Sequence, residues 1–305
     1  MLNVDLPQLE ALATVIEEGS FDAAARRLHV TPSAISQRIK AFEIAAGAVL
    51  LQRSKPVRVT EAGIPFLRLA LQIRSLVAVA TVESTDFDSV TIALAVNADS
   101  LNTWVLPALA GVSDRIDFDI RREDQDESAE LLRQGIVMAA VTAAAEPVQG
   151  CSVTRLGVTR YRPMCTPAFR ETWFADGPSP QALSRAPMIV FDRTDDLQDR
   201  YMDLWGGSSR GARRNYVPSS ADFLAAVRLG IGWAVLPQQQ IESLETTGEL
   251  VDLAPGTGVS VTLYWQQWSL RTAALDEVSA AIVSAASAHL ECAATARTLP
   301  RRFHQ

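Results

Sequence analysis

The sequence has few charged residues, few cysteines and few histidines for its length. Charged residues make up 21% of the 305 residues and hydrophobic residues 48%, so the chain can bury a large core. Because one core usually stops growing below this length, we expect two or three domains. The cysteines, Cys151, Cys165 and Cys292, form no C-x-x-C pair and are odd in number. This argues against a disulfide framework or a zinc site and favours a reducing cytoplasm.

Long apolar runs and targeting signals are also missing. The most apolar stretch, residues 64–82, is interrupted by Arg68, Gln72 and Arg74, so it is predicted to be a buried helix and not a membrane span. The N-terminus lacks a basic region followed by an apolar run, so no signal peptide is expected. We therefore expect a cytoplasmic protein without a membrane partner.

Catalytic motifs are scarce. His29 lies in a predicted turn, while His289 and His304 lie near the C-terminus, which makes a Ser-His-Asp triad or a metal cluster hard to assemble. No G-x-x-x-x-G-K-S/T motif is present, and Gly230 and Gly232 lack the third glycine of a dinucleotide fingerprint. An enzyme is the main rival class, because α/β lobes host many chemistries, but these absences disfavour it. No metal or cofactor is expected.

The net charge of −7 conceals one basic segment. Between residues 26 and 58 seven basic residues accompany a single acid, Glu43, which gives the segment a charge of +6 and leaves −13 for the remainder. Phosphate binding needs a positive surface, so this pattern predicts that one module contacts nucleic acid. The seven residues are Arg26, Arg27, Arg38, Lys40, Arg53, Lys55 and Arg58.

The first 47 residues predict three helices. The first ends at Gly19 and has apolar residues at spacings of three and four, namely Leu6, Leu9, Leu12, Ala13, Val15 and Ile16. Ser20 caps the second helix, and the turn HVT follows it. Thr31 caps a third helix that has Pro32 in its first turn and runs to Gly47. This order of helices and turn is typical of a helix-turn-helix.

The third helix and the segment after it carry groups suited to DNA. Apolar Ile35, Ile39 and Phe42 face the core, which leaves hydroxyls, an amide and a cation outside: Ser33, Ser36, Gln37 and Lys40. Glutamine can pair bidentately with adenine, serine can donate or accept, and lysine neutralises phosphate. Two short strands around residues 54–56 predict a wing that carries Arg53, Lys55 and Arg58.

Two stretches, FDAAARRLHVTPSAISQRIKAFE from Phe21 and LQRSKPVRVTEAG from Leu51, resemble the N-terminal domain of LysR-type transcriptional regulators. The resemblance implies a winged helix-turn-helix over residues 1–60 that binds double-stranded operator DNA in a promoter, with RNA polymerase as a further partner. Gln37 stands where many relatives carry arginine, so the target-site preference does not carry over. The expected DNA-binding residues are Thr31, Pro32, Ser33, Ser36, Gln37, Lys40, Arg53 and Lys55.

The resemblance also implies that a linker helix, residues 61–85, pairs two subunits. Its apolar side chains independently call for a partner surface. We expect a homodimer or homotetramer held by dimerisation residues Ile64, Leu67, Leu71, Ile73 and Leu76.

Residues 86–305 predict an α/β effector-binding domain. Apolar strands alternate with helices, which indicates parallel sheets covered on both faces. Two tandem lobes, about 89–161 with 262–305 and about 162–261, resemble a periplasmic-binding-protein-like sensor. Ligands of open α/β sheets bind at the carboxyl ends of strands, between the lobes in this case.

Three loops after predicted strands carry candidate effector residues. Loops 97–100 and 219–222 open helices whose N–H groups can receive a carboxylate, and loop 123–127 concentrates acids that suit a cation. Ordinary N-caps and a solvated acidic face are the alternative explanation of these loops. The candidates are Asn97, Asp99, Ser100, Glu123, Asp124, Asp126, Ser219 and Asp222.

The stretches VNADSLNTW, EDQDESAELLRQG, AAVT and SSADF resemble the ArgP/LysG (IciA) branch of the family. That branch responds to lysine and arginine and controls export of basic amino acids. The resemblance adds Trp104 and Thr142 to the candidate effector residues. Replication-origin binding, an architectural DNA-binding role without ligand, and a response to a different small metabolite remain the alternatives.

Overall fold

A computed structural model describes residues 5–82, 90–123, 125–208 and 211–292. The chain forms two compact units. Unit 1 comprises Met1–Val96, Val112–Val153 and Gln266–Ser279, and unit 2 comprises Asn97–Gly111, Thr154–Trp265 and Ala280–Gln305. Among the described helices, none combines the length and apolar character needed to cross a membrane.

Residues 5–63, which we call the head, form a winged helix-turn-helix in unit 1. Gly19 and Gly47 end the first and third helices with φ of 67° and 68°, and the Ser20 and Thr31 hydroxyls accept hydrogen bonds from backbone amides three residues later. These are the positions that the sequence predicts for stops and caps. Leu12 and other apolar side chains of all three helices form one core. The elements are α1 (Leu6–Glu18), α2 (Phe21–Arg27), α3 (Pro32–Ala46), β1 (Leu51–Gln52) and β2 (Arg58–Val59).

The linker helix, α4 (Ile64–Val82), begins three residues later than predicted. Glu61 to Gly63 form a turn instead, in which the Gly63 amide donates to the Thr60 carbonyl at 2.9 Å. A Cβ at Gly63 would clash with the Leu50 carbonyl oxygen, so glycine is needed where α4 leaves the wing.

A parallel sheet follows in unit 1. Strand β3 (Val90–Val96) pairs in parallel with β4 (Ile116–Arg122) and with β5 (Ala139–Thr142). Val96 is in register with both Arg122 and Val141, so the carboxyl ends of the three strands share one edge. Helix α7 (Gln125–Gln134) stops at Gly135, with φ of 76°, as the sequence predicts.

The sequence SLNTWVLPALAGV, residues 100–112, predicts one continuous helix, but the structure shows an interrupted one. The chain instead forms α5 (Ala98–Ser100), a π-helical turn (Leu101–Val105) and α6 (Leu106–Ala110). Pro107 has no amide hydrogen and its ring crowds the carbonyl of Thr103, so a regular α-helix cannot continue through it.

Unit 2 combines antiparallel and parallel strands. Strand β6 (Cys151–Cys165), most of which lies in this unit, is antiparallel to β9 (Ala234–Pro237) and β10 (Val251–Asp252), whereas β7 (Met188–Val190) is parallel to β8 (Arg214–Tyr216). The helices are α8 (Pro167–Trp173), α9 (Pro180–Arg185), α10 (Leu197–Leu204), α11 (Ser220–Arg228) and α12 (Gln238–Thr246). Strand β11 (Val259–Trp268) and helix α13 (Ala273–His289) complete the described chain.

The expectation of parallel sheets is wrong for the pairings of β6 with β9 and β10, which are antiparallel. Strand β6 is not among the strands predicted from the sequence. Its sequence, CSVTRLGVTRYRPMC, contains three arginines and so is not a continuous apolar run, and half-buried and buried residues alternate from Leu156 to Pro163. Alternation of this kind is typical of antiparallel strands.

Candidate nucleic-acid and effector sites

The outer face of α3 carries the side chains predicted to contact DNA. Ser33, Gln37 and Lys40 are exposed and Ser36 is half-buried, because the helical period turns Ile35, Ile39 and Phe42 into the core. The amide of Gln37 thus reaches solvent from the middle of the face, where a base edge can meet it.

The first turn of α3 uses some of the predicted groups for its own structure. The Thr31 hydroxyl accepts from the Ala34 amide at 3.2 Å and lies 2.9 Å from the Ser33 hydroxyl. Thr31, Pro32 and Ser33 are all exposed. Thr31 is therefore first a capping residue, and Ser33 is its hydrogen-bond partner.

Most cations of the head have no ion-pair partner among the described residues. Of the seven basic residues between positions 26 and 58, only Arg27 forms ion pairs there, with Glu17 at 3.3 Å and Glu18 at 2.9 Å. Lys40 and Lys55, both exposed, are also the two lysines of the whole sequence. Exposed cations without neutralising partners attract a polyanion.

The wing is fixed against the helices. The guanidinium of Arg53 lies 5.6 Å from the centre of the Phe21 ring, and the Val57 amide donates to the Gly19 carbonyl at 2.9 Å. A Cβ at Gly19 would lie 3.1 Å from Cβ of Pro56, so the wing packs closely on the turn between α1 and α2. Arg53 and Lys55 are thereby held on the same module as α3.

Sequence reasoning missed Arg38 as a candidate. A groove of about 550 Å³ runs between the start of α1 and α3, and Gln37 and Arg38 both line it beside Leu6 and Pro7. Arg38 lies between the buried and the outer face of α3, which is why helical periodicity did not assign it to either. Its cation is placed to act next to Gln37.

The predicted dimerisation residues divide into two groups. Leu67 is 1% exposed and packs in the core of the head, so its prediction as a subunit contact is corrected: Leu67 attaches α4 to the head. Ile64, Leu71 and Ile73 are half-buried and Leu76 is 42% exposed. Leu69 and Val77 on the same helix are also exposed, so α4 retains an apolar surface.

Helix α4 also contacts the sheet part of unit 1 through Arg68. The Arg68 guanidinium donates to the Gln149 carbonyl and lies 3.6 Å from Cys151 Sγ. A Cβ at Gly135 would approach the Arg68 Cα to 2.9 Å, and a Cβ at Gly150 would approach its Nη2 to 2.8 Å. Two glycines therefore make room for this arginine.

Two candidate effector residues lie at the strand edge of unit 1. Glu123 follows β4 and is half-buried, and its carbonyl accepts from the Ser128 hydroxyl at 3.5 Å. Thr142 ends β5, is buried, and its hydroxyl accepts from the Ala144 amide at 3.1 Å. Asp124 and the side chain of Asp126 lie outside the described part of the structure.

Four candidates lie together at the start of unit 2. Asn97 precedes α5 and its Oδ1 has no hydrogen-bond partner among the described residues. Ser100 and Trp104 are buried, at 2% and 1% exposure, and Asp99, next to Ser100 in the sequence, is half-buried. Trp104 is thus part of the interior of this segment.

The Asp99 carboxylate has a neighbour that sequence reasoning missed. Burial raises the pKa of the Tyr161 hydroxyl well above its usual value, and the Asp99 and Asp195 carboxylates raise it further. The Arg200 guanidinium lowers this pKa. Burial also raises the pKa of Asp195. Tyr161 is on β6 and Asp195 follows β7, and no local motif relates either to Asp99. Tyr161 thus lies near two carboxylates and one guanidinium, so side chains of both charges act at this place.

Ser219 and Asp222 open α11 after β8. Ser219 makes no side-chain capping hydrogen bond and Asp222 is exposed in the first turn. The hydroxyl of the next residue, Ser220, is buried without a partner among the described residues. Within the described ranges, no group of three or more His, Cys, Asp or Glu side chains is arranged to hold a metal ion.

Two family models match the chain. A model described as bacterial regulatory helix-turn-helix protein, lysR family, matches residues 6–64, and one described as LysR substrate binding domain matches residues 88–287. The lysine export transcriptional regulatory protein LysG of Corynebacterium efficiens is 41% identical over 288 residues, which cover 92% of this chain and 98% of the relative.

Two solved structures are similar over nearly the whole chain. ArgP from Mycobacterium tuberculosis is 42% identical, with 95% of this chain and 100% of that chain covered and a TM-score of 0.87. Full-length LysG from Corynebacterium glutamicum with bound effector Arg is 34% identical, with 94% and 99% covered and a TM-score of 0.78.

Proposed function

The chain belongs to the LysR family of transcriptional regulators, which are not enzymes, and on that premise we propose that L-arginine or L-lysine controls its binding to DNA. The observation that carries the proposal is the similarity, over the full length, to a LysG structure that holds arginine as effector. The carboxylates of Asp99 and Asp195, which both act on Tyr161, supply negative charge for a cationic side chain.

The head supplies the DNA-binding half of the function. Gln37 reads a base edge, while Lys40, Arg53 and Lys55 neutralise phosphates. The apolar surface of α4 joins two or four copies of the chain, so that several heads bind one operator. Its subunit contacts include Ile64, Leu71, Ile73 and Leu76. The protein acts in the cytoplasm, and its target is the gene of a basic amino-acid exporter, in keeping with the name of the relative from C. efficiens.

The effector acts by changing an equilibrium between arrangements of the heads. A ligand can shift such an equilibrium only by binding one arrangement more tightly than another. The candidate effector residues on this proposal are Asn97, Asp99, Ser100, Trp104, Glu123, Thr142, Ser219 and Asp222, with Tyr161 and Asp195 added by the structure.

Calorimetric titration of the full chain tests this proposal. L-arginine and L-lysine should bind, whereas L-citrulline and L-norleucine, which lack the cationic end, should bind far more weakly. Asp99→Asn should raise the Kd for both cations, and Asp176→Asn, at an exposed carboxylate away from these segments, should leave it unchanged. No heat from either basic amino acid at millimolar concentration would contradict the proposal and favour a constitutive DNA binder or a different metabolite.

A further inference from the structure

Buried polar side chains mark places where the fold tolerates an energetic cost. Nine are buried among the described residues, and a buried polar group normally finds a partner within the protein. Asp252 forms an ion pair with Arg162. The amide of Gln266 binds the Val148 amide and the carbonyls of Ala144 and Glu146 at 2.9 to 3.0 Å. For Asp252 and Gln266, these contacts within the protein explain why a polar side chain is buried.

Gln198 is different. It lies in the first turn of α10 and is 1% exposed, yet neither its Oε1 nor its Nε2 has a hydrogen-bond partner among the described residues. An apolar side chain of the same size would fill this position at lower cost. A role outside the fold is therefore the simplest reason for an amide at this position.

The place of Gln198, on a helix that follows a sheet strand, points to that role. Helix α10 follows the carboxyl end of β7, and the parallel neighbour β8 leads from the same edge to α11. The Val217 amide donates to the Val190 carbonyl at 3.0 Å, and the Phe191 and Phe223 rings lie 6.3 Å apart, which holds the two strand ends together. The carboxyl ends of strands are where α/β sheets bind ligands.

Other buried polar side chains occur at the same relative place. Ser100 follows β3, Ser128 follows β4 and Thr142 ends β5. Together with Gln198 they are four of the nine buried polar residues. All but Gln198 lie in segments already implicated in effector binding.

The loop before Gln198 is fixed, and its charge suits a basic ligand. The Asp195 carboxylate accepts from the amides of Phe191 and Leu197, both at 3.0 Å. The Asp195 and Asp99 carboxylates and the Arg200 guanidinium of α10 all influence the Tyr161 hydroxyl, so the start of α10 lies near both negative and positive charge. A neutral amide can donate through Nε2 to a carboxylate and accept at Oε1 from an ammonium or guanidinium group, so it complements an amino acid beside these carboxylates.

We propose that Gln198 contacts the effector, with its side-chain amide hydrogen-bonded to the bound basic amino acid. This inference rests on the proposed function and adds a residue to it. Because the amide is neutral, it contributes to affinity and does not distinguish arginine from lysine by charge.

The test compares three glutamine variants of the full chain by calorimetric titration with L-arginine and L-lysine and by thermal unfolding without ligand. Gln198→Leu should raise the Kd for both amino acids by about 10- to 100-fold. Its melting temperature without ligand should be unchanged or higher, because an unpartnered amide is removed. Gln266→Leu should lower the melting temperature, since it breaks three hydrogen bonds. Gln181→Leu, at an exposed residue of α9, should change neither quantity.

If the wild type binds the amino acids and Gln198→Leu binds them with the same Kd, the inference is overturned. A lower melting temperature with an unchanged Kd overturns it too, because it assigns the amide a structural role. If the leucine variant does not fold, Gln198→Asn takes its place, since it keeps an amide but withdraws it by one methylene; a raised Kd supports the inference and an unchanged one overturns it. No heat from wild type with either amino acid contradicts the proposed function itself, and the inference falls with it.

Discussion

The head and unit 2 present their candidate functional side chains in opposite ways. In the head Gln37, Lys40 and Lys55 are exposed, whereas in unit 2 Trp104 and Gln198 are buried. DNA is a large polyanion that is met at a surface, and its binding depends on cations in water. A small ligand is held by being surrounded, in an environment that excludes water. Substitutions on the exposed face of the head should therefore change binding without changing stability, whereas truncation of a well-packed side chain in unit 2, such as Trp104, should also lower stability.

Trp104→Ala should give the largest effect. Trp104 is 1% exposed, so the truncation removes a large buried side chain and should lower the free energy of unfolding by about 3–5 kcal/mol. Leu106→Ala, two residues along at a side chain that is 50% exposed, is the matched control and should cost far less. Urea unfolding measures both. An equal loss of unfolding free energy in the two variants would show that Trp104 is not packed in the interior of unit 2.

Gly135→Ala, at the contact between Gly135 and α4, should give the next largest effect. Gly135 and Gly177 both have positive φ, of 76° and 86°, so alanine at either position should cost about 1–2 kcal/mol from the backbone alone. Gly135→Ala should cost roughly 1–3 kcal/mol more, because its Cβ would meet the backbone of Arg68, whereas nothing lies within 4 Å of a Cβ at Gly177. Equal destabilisation of the two variants in urea would mean that α4 does not rest on this part of unit 1 in solution.

The same contrast explains which features the sequence predicts well. In the head, stops and caps such as Gly19 and Thr31 are local signals, and the bounds of α1, α2 and α3 follow from them. Strand β6 owes its place to β9 and β10, which lie far along the chain. Helices α8 and α9 have local start signals, because Thr166 and Ser179 cap them and a proline follows each cap. The helices are nevertheless hard to predict, because they are short and their apolar residues are weakly periodic.

The candidate sites follow the same division. Outer-face residues of α3 can be read from helical period, since Ile35 and Ile39 fix the opposite face. Tyr161, Asp195 and Gln198 could not be predicted, because their relation to Asp99 or to buried space arises from packing between elements distant in sequence. The burial of Leu67 in the core of the head was equally invisible, since an apolar helix does not indicate which of its residues contact its own chain.

Gln37→Ala tests base reading in the head. It should weaken binding to a site selected from random-sequence DNA by about 1–3 kcal/mol relative to unselected DNA, while the melting temperature stays that of the wild type because the side chain is exposed. Gln52→Ala, at an exposed glutamine of the wing strand β1, separates the loss of a reading amide from the loss of any amide in the head. The same loss on selected and unselected DNA would leave Gln37 without a reading role.

Lys55→Ala should have the smallest effect, and one that does not depend on DNA sequence. Loss of one phosphate contact should weaken binding to every duplex alike and reduce the slope of log affinity against log salt by about 0.9. Because Lys40 and Lys55 are the two lysines of the chain, acetylation of the DNA complex followed by mass spectrometry reports on the head alone, apart from the terminal amine. Both lysines should be protected by DNA. If DNA protects Lys40 while Lys55 is fully modified, the wing does not contact DNA. In that case α3, with its exposed polar face, is the element of the head that binds DNA.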